Sequence, residues 1–333
     1  MEPPVTRTPA FPPSIAPLAL TGRRPLWSVM IPAYNCTVYL ADALRSVLAQ
    51  DLGADLMQIE VVDDASTDGD VAALVAALGR GRVQYYRQPA NVGSLRNFET
   101  CLNRSRGHYV HLLHGDDRVA PGYYARMSQL FEQHPEAGAA FSNYASIDEA
   151  GHRTYVPAPI DAAGILPNWL VRIAERQQIQ YAAIAVRRRV YEELGSFYGT
   201  NYGEDWEMWV RIARYHPVAY TPEVLAEYRG HASSISSTKA RQGRIIQDLL
   251  LVMESIQQHL PDKDRKQVAL LSRKFYATLG IGMAYQVLRE TQDWPLAQNH
   301  IRQALAMSKH PSVYYHMVKF HLKQLLHKLS LHA

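Results

Sequence analysis

The sequence of 333 residues predicts an α/β protein with a mainly parallel sheet flanked by helices, followed by an all-helical C-terminal extension. Three patterns lead to this prediction. Short apolar segments alternate with helical segments from Trp27 onward, as in folds built from repeated strand–helix units. The strand candidates are apolar almost throughout, which is typical of strands covered on both faces. Beyond Arg241 the spacing of apolar residues is helical to the end of the chain.

The predicted strands are short apolar runs that end at turn-forming or acidic residues. The first run ends at Pro32, and the second ends at the acidic pair Asp63 and Asp64. The strand candidates lie at residues 27–31, 59–62, 83–86, 108–113, 139–142 and 180–186. Residues 148–167 contain proline and glycine without a clear period, so we expect a loop there.

The predicted helices have apolar residues three and four positions apart. Leu40, Leu44 and Val47 share one face of the first helix, and Trp206 and Trp209 share one face of the last. The helix candidates of the α/β region lie at residues 39–50, 71–78, 95–104, 123–134, 188–194 and 204–215. Because a helix follows most strands, parallel pairing through crossover helices is the expected topology.

The chain divides into three predicted parts. Residues 1–24 contain six prolines and no secretory pattern, so we expect a disordered Pro-rich leader. Residues 25–238 form the predicted α/β domain, and residues 239–333 form the helical extension.

Composition and charge exclude several classes of protein. The net charge of +4 suits an anionic ligand but is too small to predict a nucleic-acid partner. The two cysteines, Cys36 and Cys101, cannot build a disulfide framework or a cysteine zinc cluster, and they suit a reducing compartment. No window contains the roughly 18 consecutive apolar residues of a membrane span. We therefore expect a cytoplasmic protein.

Two adjacent acids follow the fourth predicted strand. Gly115, Asp116 and Asp117 come directly after the apolar run that begins at His108. The carboxyl ends of strands in open α/β sheets are where ligands bind. Paired carboxylates there suit Mg²⁺ or Mn²⁺ held jointly with substrate phosphates. The sequence therefore predicts a Mn²⁺ or Mg²⁺ site that involves Asp116 and Asp117.

Polar loops follow the first three predicted strands and are expected at the same edge of the sheet. The loop after the first strand offers a proline and a tyrosine for the wall of a base pocket, and the acids after the second can accept hydrogen bonds from a base or ribose. A glycine turn opens the helix that carries Arg96, which can face a base or a phosphate. The predicted nucleotide-binding residues are Pro32, Ala33, Tyr34, Asn35, Asp63, Asp64, Asn91, Arg96 and Asp116.

Five strings of the sequence, in order, resemble the inverting family 2 glycosyltransferases of the GT-A fold. They are SVMIPAYN, VVDDASTDG, NVGSLRN, LLHGDD and GEDWEMWVRI, and the resemblance covers about residues 27–236. It implies a Rossmann-like GT-A sheet, a nucleotide-diphosphate sugar donor and a divalent metal. It also implies direct displacement at the anomeric carbon with inversion.

The resemblance assigns roles to particular residues. Asp64 is implied to contact the base, with Asp63 beside it, and Asp116 and Asp117 match the metal motif, with Asp116 also a candidate for the ribose. Asp205 matches the catalytic base that takes a proton from the acceptor hydroxyl. An acid in the first turn of a helix also interacts favourably with the helix dipole, which is the structural alternative for Asp205.

Three further positions are candidates for a supporting role. Many relatives carry Asp where this chain has His114, and a histidine there can ligate Mn²⁺ or contact the ribose. Glu204 is expected to be a structural partner of Asp205. The element that contains Arg229 and His231 resembles one in which the histidine approaches the metal or diphosphate and the arginine neutralises phosphate. A surface position is the alternative for His231.

The C-terminal helix predicted at residues 312–329 is amphipathic. Its apolar stripe consists of Tyr314, Val318, Leu322, Leu325 and Leu329. Basic and histidine side chains lie on the other face. Packing on neighbouring helices or a homodimer contact would explain this stripe, and so would peripheral contact with the inner face of a membrane. Membrane contact would suit a lipid-linked acceptor.

The expected function is therefore transfer of a sugar from a UDP- or dTDP-sugar donor to a hydroxyl of a glycan or lipid-linked acceptor. Bacterial surface polysaccharide or glycan assembly is the setting implied by the family. A nucleotide-sugar-binding scaffold without activity is the alternative, since His114 departs from the common metal motif. A nucleotidyltransferase is disfavoured because the first strand is not followed by a glycine-rich, basic phosphate loop.

Overall fold

The computed structural model describes residues 6–19 and 22–330, with side chains described up to residue 325. The chain forms two compact units. The first contains Met1–Trp169 and Gln178–His231, and the second contains Leu170–Gln177 and Ala232–Ala333. The division thus falls after His231, earlier than the boundary expected after residue 238.

The first unit contains ten strands and the helices that connect them. The strands are β1 (Trp27–Ala33), β2 (Met57–Asp63), β3 (Gln84–Arg87), β4 (Tyr109–Leu112), β5 (Arg118–Val119), β6 (Ala139–Ile147), β7 (Arg153–Tyr155), β8 (Gly164–Ile165), β9 (Ile184–Arg187) and β10 (Val218–Arg229). The helices are α1 (Thr37–Leu48), α2 (Val71–Gly79), α3 (Ser94–Arg104), α4 (Tyr123–Gln133), α5 (Trp169–Glu175, mostly in the second unit), α6 (Arg188–Leu194) and α7 (Glu204–Tyr215).

The strand order of the main sheet is β3-β2-β1-β4-β9-β6-β10-β5. The pairs β3–β2, β2–β1, β1–β4 and β6–β10 are parallel. The strand β9 is antiparallel to both of its neighbours, β4 and β6. This sheet, covered by helices, confirms the predicted α/β fold class.

Apolar burial explains why the central strands form. All seven residues of β1 and all seven of β2 are buried. Trp27 is fully buried, lies edge-on to Tyr109 and Tyr124, and donates its indole N–H to Ser128 Oγ at 3.0 Å. The carboxyl ends of β1, β2 and β4 therefore lie on a rigid base.

Two sequence predictions differ locally from the structure. Residues 148–167, predicted to be a loop, contain the short strands β7 and β8, which pair with longer neighbours although they lack an apolar run. The strand predicted at residues 180–186 begins later, because Tyr181–Ala183 form a 3-10 turn before β9.

Residues 6–19 lie against the first unit, unlike the disordered leader that the prolines suggested. We call residues 6–16 the N-terminal segment. The N–H of Ser196 donates to Pro13 O at 2.8 Å, and the N–H of Gly199 donates to Pro9 O at 2.9 Å. A proline-rich segment has little conformational entropy to lose, so a few such bonds suffice to order it. The other residues of the expected leader, 1–5 and 20–21, lie outside the described residues.

The second unit is helical, as the sequence predicted for the C-terminal region. Its helices after α5 are α8 (Ile235–Arg241), α9 (Ile245–Gln257), α10 (Asp262–Glu290), α11 (Trp294–Met307) and α12 (Pro311–Ser330). The ammonium of Lys239 in α8 contacts Asp248 in α9, which places α8 with this unit. Gln177 belongs to the same unit, since its N–H donates to Tyr276 Oη at 3.0 Å.

The face that α12 buries is not the predicted apolar stripe. Val313 and Phe320 are buried. The stripe residues that the structure describes are open, with exposed fractions of 43% for Tyr314, 52% for Val318 and 56% for Leu322. The side chain of Leu329 lies outside the described residues. Among the described residues, we find no helix with the length and apolarity required to cross a membrane.

Candidate active site

The loop after β4 brings three potential metal ligands together. His114, Asp116 and Asp117 each offer a ligand atom, and these atoms lie within 4.8 Å of one another. Gly115 lies in close contact with the loop after β1, because a Cβ at this position would be 2.7 Å from Cys36 Sγ. The predicted metal residues thus share one loop with His114.

The end of β10 holds this loop in place. The side chain of Asp117 is buried, and its Oδ1 accepts the backbone N–H of Arg229 at 2.9 Å. The Nε–H of Arg229 donates to the main-chain oxygen of Asp116 at 2.9 Å. His231 Nε2 lies 2.9 Å from Asp116 Oδ2. His231 therefore lies beside Asp116, one of the predicted metal ligands.

The guanidinium of Arg229 faces protein oxygens. The side chain is 1% exposed, and its terminal nitrogens donate to the main-chain oxygens of Asp148 and Glu149 at 3.1 and 2.9 Å and to Asp42 Oδ2 at 3.2 Å. This arrangement differs from the expectation that Arg229 neutralises phosphate.

The pKa values of His114, Asp116 and Asp117 are shifted in directions that suit a bound cation. Burial, and then the charge of Asp116, raises the pKa of Asp117 well above its ordinary value. Burial also acts to raise the pKa of Asp116, but the hydrogen bond to His231 and the neighbouring imidazoles hold this pKa below its ordinary value. Burial lowers the pKa of His114, so its imidazole is neutral.

A divalent metal fits these groups. The buried Nε2 of His114 has no hydrogen-bond partner among the described residues. A neutral imidazole nitrogen is a good ligand, and two adjacent carboxylates in a buried loop repel one another unless a cation or a proton is shared. Oxygen and imidazole donors together suit Mn²⁺ or Mg²⁺.

Asp63, the first acid after β2, is a structural residue of the loop in this geometry. It is fully buried, and its Oδ1 accepts the N–H of Ser66 at 2.9 Å. Its Oδ2 accepts from Tyr85 Oη at 2.8 Å and pairs with Arg87. Neighbouring protein groups thus bond to both oxygens of the Asp63 carboxylate, which was predicted to contact the nucleotide.

Asp64 connects the loop after β2 to the glycine turn that begins α3. Its Oδ1 accepts the N–H of Val92 at 2.7 Å, and its Oδ2 accepts the N–H of Gly93 and Asn91 Nδ2, both at 2.9 Å. Asp64 is 2% exposed. The predicted residues Asp64 and Asn91 are therefore brought together, with the carboxylate holding the turn.

The loop after β1 is fixed to the loop after β2. Asn35 has a positive φ of 48°, a conformation that asparagine tolerates better than most residues. Its Oδ1 accepts the N–H of Thr67 at 2.8 Å, and its own N–H donates to Ser66 Oγ at 3.0 Å. Pro32 and Ala33 are buried strand residues, whereas Tyr34 is 50% exposed. Asn35 is exposed as well, so these two residues have side-chain surface open to a ligand.

A cavity of about 700 Å³ lies beside the glycine turn of Asn91–Gly93. Arg96 and Arg7 line it, together with Tyr86 and Gln88. The Nε–H of Arg96 donates to Thr6 O at 3.0 Å. The predicted residues Asn91 and Arg96 therefore border open space large enough for a ligand.

Asp205 lies in the first turn of α7, a helix that begins directly after Gly203, whose φ is 86°. Its Oδ1 accepts the N–H of Trp206 at 2.7 Å, and its side chain is partly exposed. Glu204 is buried, and Tyr181 Oη donates to Glu204 Oε1 at 3.3 Å. An acid at this helix start is consistent with both the catalytic and the helix-dipole interpretation.

Tyr181 joins the start of α7 to the predicted metal loop, residues 114–117. Its ring lies 4.4 Å from the imidazole of His114, measured between centroids, and its hydroxyl reaches Glu204. Burial, followed by the charges of Glu204 and Asp205, raises the pKa of Tyr181 well above its ordinary value. Tyr181 was not among the predicted site residues, because one tyrosine at the start of a predicted strand does not indicate a functional role.

Comparisons with known proteins identify the family to which this chain is similar. Residues 28–216 match the family model of Glycosyl transferase family 2. An uncharacterized protein of Mycobacterium tuberculosis is 28% identical over 250 residues, which cover 68% of this chain and 74% of that protein. An uncharacterized glycosyltransferase of Haemophilus influenzae is 25% identical over 223 residues, covering 64% of this chain and 68% of the relative.

Solved structures resemble the chain in fold. TarS of S. aureus, residues 1–349 with UDP-GlcNAc, gives a TM-score of 0.62 at 16% identity over 88% of each chain. The mannosyltransferase PcManGT of Pyrobaculum calidifontis, in complex with GDP-Man and Mn²⁺, gives 0.57 at 20% identity over 93% of this chain and 83% of the other.

The fold is that of the GT-A glycosyltransferases. The family match spans more than half of the chain, which therefore belongs to glycosyl transferase family 2. This confirms the resemblance, the fold class and the enzyme class that the sequence predicted.

Proposed function

We propose that the chain is a metal-dependent, inverting glycosyltransferase that moves a sugar from a UDP- or dTDP-sugar to an acceptor hydroxyl. Assembly of a bacterial surface polysaccharide or glycan is the proposed setting. The observation that carries the proposal is the cluster of His114, Asp116 and Asp117 at the carboxyl end of a central strand, with Tyr181 joining it to the helix start of Asp205.

The metal would be held by Asp116 and Asp117, with His114 as the nitrogen donor. When bound, a divalent cation supplies positive charge that stabilises the departing diphosphate. His231 orients the Asp116 carboxylate through the 2.9 Å contact. Arg229 fixes the loop by its bonds to the backbone and side chain of the two acids.

Asp205 is the proposed general base. The acceptor oxygen attacks the anomeric carbon while its proton passes to the Asp205 carboxylate, and the bond from that carbon to the diphosphate oxygen breaks. Because the nucleophile enters opposite the leaving group in a single displacement, the configuration inverts. A carboxylate within hydrogen-bond reach of the hydroxyl is the group this step requires.

The base and ribose of the donor are proposed to lie at the ends of β1 and β2. Tyr34 has side-chain surface open to a ligand, and Asn91 and Arg96 border the 700 Å³ cavity. The similar structures contain UDP-GlcNAc in one case and GDP-Man in the other, so a test of donor identity has to include guanine nucleotides.

A peripheral contact with an anionic membrane is the proposed route to a lipid-linked acceptor. Residues 232–333 contain 14 Lys and Arg against 6 Asp and Glu, whereas residues 1–231 contain 21 against 25. The exposed stripe of α12, with Val318 and Leu322 about half exposed, gives the basic unit an apolar surface to insert. The proposed location is the cytoplasm, at the inner face of the membrane.

Two experiments test these proposals. Thermal shifts with UDP, dTDP, GDP and their sugars, each with Mn²⁺ and with chelator, should show stabilisation by one base that depends on the metal. No shift with any nucleotide would contradict the donor site, and donor binding without turnover would favour the scaffold alternative.

Vesicle co-sedimentation of the wild type and of Leu322→Glu tests the membrane contact. Unchanged vesicle binding by the variant would contradict the membrane contact. Loss of a dimer in the variant would show instead that the α12 stripe is a homodimer face.

A further inference from the structure

The N-terminal segment connects two loops of the candidate active site. At one end, Thr6 O accepts from Arg96 and the Arg7 guanidinium donates to Asn91 Oδ1. At the other end, Pro9 and Pro13 accept from the loop that precedes α7. The segment is thus held at both the predicted donor loop and the loop that leads to Asp205.

Arg7 lies directly over the glycine turn. A Cβ added to Gly93 would lie 3.1 Å from Arg7 Nε, so the turn is in close contact with the guanidinium. Burial raises the pKa of Asp64, and the N–H groups of Val92 and Gly93 and the charge of Arg7 act against that rise. The positive charge of Arg7 therefore acts on Asp64, the acid that the family resemblance places near the base.

The two acids after β2 leave base recognition to other groups. Asp63 and Asp64 are 0% and 2% exposed, and the protein's own donors already bond to both oxygens of each carboxylate. The Arg7 side chain is exposed and lines the cavity. Asn91 Oδ1 is its one hydrogen-bond partner in the described ranges, so most of its five N–H donors remain for a ligand.

The position of Arg7 relative to the strands of the sheet favours contact with the base over contact with the diphosphate. Asp64 follows β2 and Asp116 follows β4, and β1 lies between these strands. Neighbouring strands are about 4.8 Å apart, which separates the two strand ends by about 10 Å. Arg7 is at the β2 end, whereas the proposed phosphate and metal groups are at the β4 end.

We propose that Arg7 is a donor-recognition residue, supplied by the N-terminal segment, that binds a carbonyl oxygen of the nucleobase. This inference rests on the proposed glycosyltransferase function. A guanidinium donates to acceptor edges, so uracil, thymine or guanine meets its requirement, whereas adenine offers no carbonyl oxygen.

Calorimetric titration with UDP, GDP, ADP and inorganic pyrophosphate, all with Mn²⁺, tests the proposal on the full chain. In Arg7→Ala the Kd for the tighter of UDP and GDP should rise about tenfold, with pyrophosphate and ADP affinities unchanged. Arg7→Lys should recover part of the lost nucleotide affinity, because lysine keeps the positive charge but lacks the forked guanidinium group. Arg23→Ala is the matched control, an exposed arginine of the same part of the chain.

Four results would overturn the assignment. Equal UDP or GDP affinity in Arg7→Ala would show that the guanidinium does not contact the base. An equal loss of affinity for pyrophosphate would show that Arg7 binds the phosphates. Tighter nucleotide binding by the variant would show that Arg7 obstructs the site. If the wild type binds no nucleotide, the proposed function fails together with the role of Arg7, which the wild-type titration alone reveals.

Discussion

The Nε–H of Arg229 donates to the main-chain oxygen of Asp116 at 2.9 Å, so a buried cation holds the backbone of the predicted metal loop. The same residue donates its backbone N–H to Asp117 Oδ1. Positive charge near a metal site is often assigned to phosphate binding. Here the hydrogen bonds of the guanidinium go to protein oxygens on three segments, so its role is to fix where the two acids lie.

Arg229→Lys should therefore lower the free energy of unfolding. A lysine keeps the charge but cannot reach the separated carbonyls at once, and each buried acceptor left without a partner costs about 1–3 kcal/mol. Urea unfolding should show a loss of about 2 kcal/mol or more. Arg153→Lys, where a half-exposed arginine pairs with the nearly buried Glu227, should lose less than about 1 kcal/mol. Unchanged stability with weakened pyrophosphate binding would support the phosphate role instead.

Asp205→Asn should abolish most turnover while nucleotide-sugar affinity stays unchanged. Removal of a general base lowers the rate by about 10²- to 10⁴-fold, and the amide is too weak a base to replace the carboxylate. Steady-state rates and calorimetric donor binding measure the two effects separately. Glu223→Gln, an exposed acid on β10, serves as the control. A wild-type rate in Asp205→Asn would leave Asp205 with the helix-dipole role alone.

Gly115→Ala should destabilise the metal loop through Cys36. The new Cβ would lie 2.7 Å from Cys36 Sγ, and such overpacking in a buried site costs about 1–3 kcal/mol. The double variant with Cys36→Ala removes the clashing sulfur, so its loss of stability should be smaller than the sum of the two single losses. Additive losses in melting experiments would show that the clash is with backbone.

His114→Ala should weaken Mn²⁺ binding by about tenfold or more, the scale of effect seen when support for a metal site is removed. The buried Nε2 of His114 lies with the two carboxylates, so the variant leaves two protein ligands of three. His108→Ala, an exposed histidine just upstream, should bind Mn²⁺ as the wild type does. Equal affinity in both variants, measured by titration with UDP present, would remove His114 from the site.

His111 makes folding sensitive to acid. It is fully buried between Tyr124 Oη and Ala182 O, and burial lowers its pKa to about 3. In the unfolded chain His111 has its ordinary pKa near 6.5, so below that pH it binds a proton that the buried imidazole of the folded chain does not bind. Stability is therefore complete above about pH 6.5 and falls by about 1.4 kcal/mol per unit as the pH drops toward 3.

The variant His111→Gln should flatten that dependence. Its unfolding free energy should change less between pH 7 and pH 4.5 than that of the wild type, whatever its stability at pH 7. His321→Gln, at an exposed position of α12, should keep the wild-type slope. Parallel curves for His111→Gln and the wild type would show that other groups cause the acid sensitivity.

The elements that the sequence predicted well are those with a local signal. The strands β1 and β2 carry mainly apolar runs, interrupted by Ser28 in β1 and by Gln58 and Glu60 in β2, and α7 has two tryptophans on one face, so each was found within a few residues. The strand β9 was placed too early, because its direction and register come from pairing with β4 and β6 rather than from its four residues.

The candidate site was predicted in the same uneven way. The predicted strand ends placed Asp116, Asp117 and Asp64 at one edge of the sheet, since the carboxyl ends of parallel strands lie at the same edge. Which acids remain open to a ligand depends on distant donors, such as the N–H of Val92 for Asp64 and that of Arg229 for Asp117. Tyr181 and Arg7 contact residues that are distant in the sequence, and no local sequence pattern indicates such contacts.

The bond between Arg229 and Asp117 also sets an order of events during synthesis. The two residues are 112 positions apart. At about 5–20 residues per second, the ribosome releases the acidic loop about 6 to 22 seconds before the strand that anchors it. The loop must wait in the nascent chain, with its carboxylates in water, until β10 pairs with β6. The hydrogen bond between Asp117 and Arg229 can therefore form only after nearly all of the first unit has been synthesised.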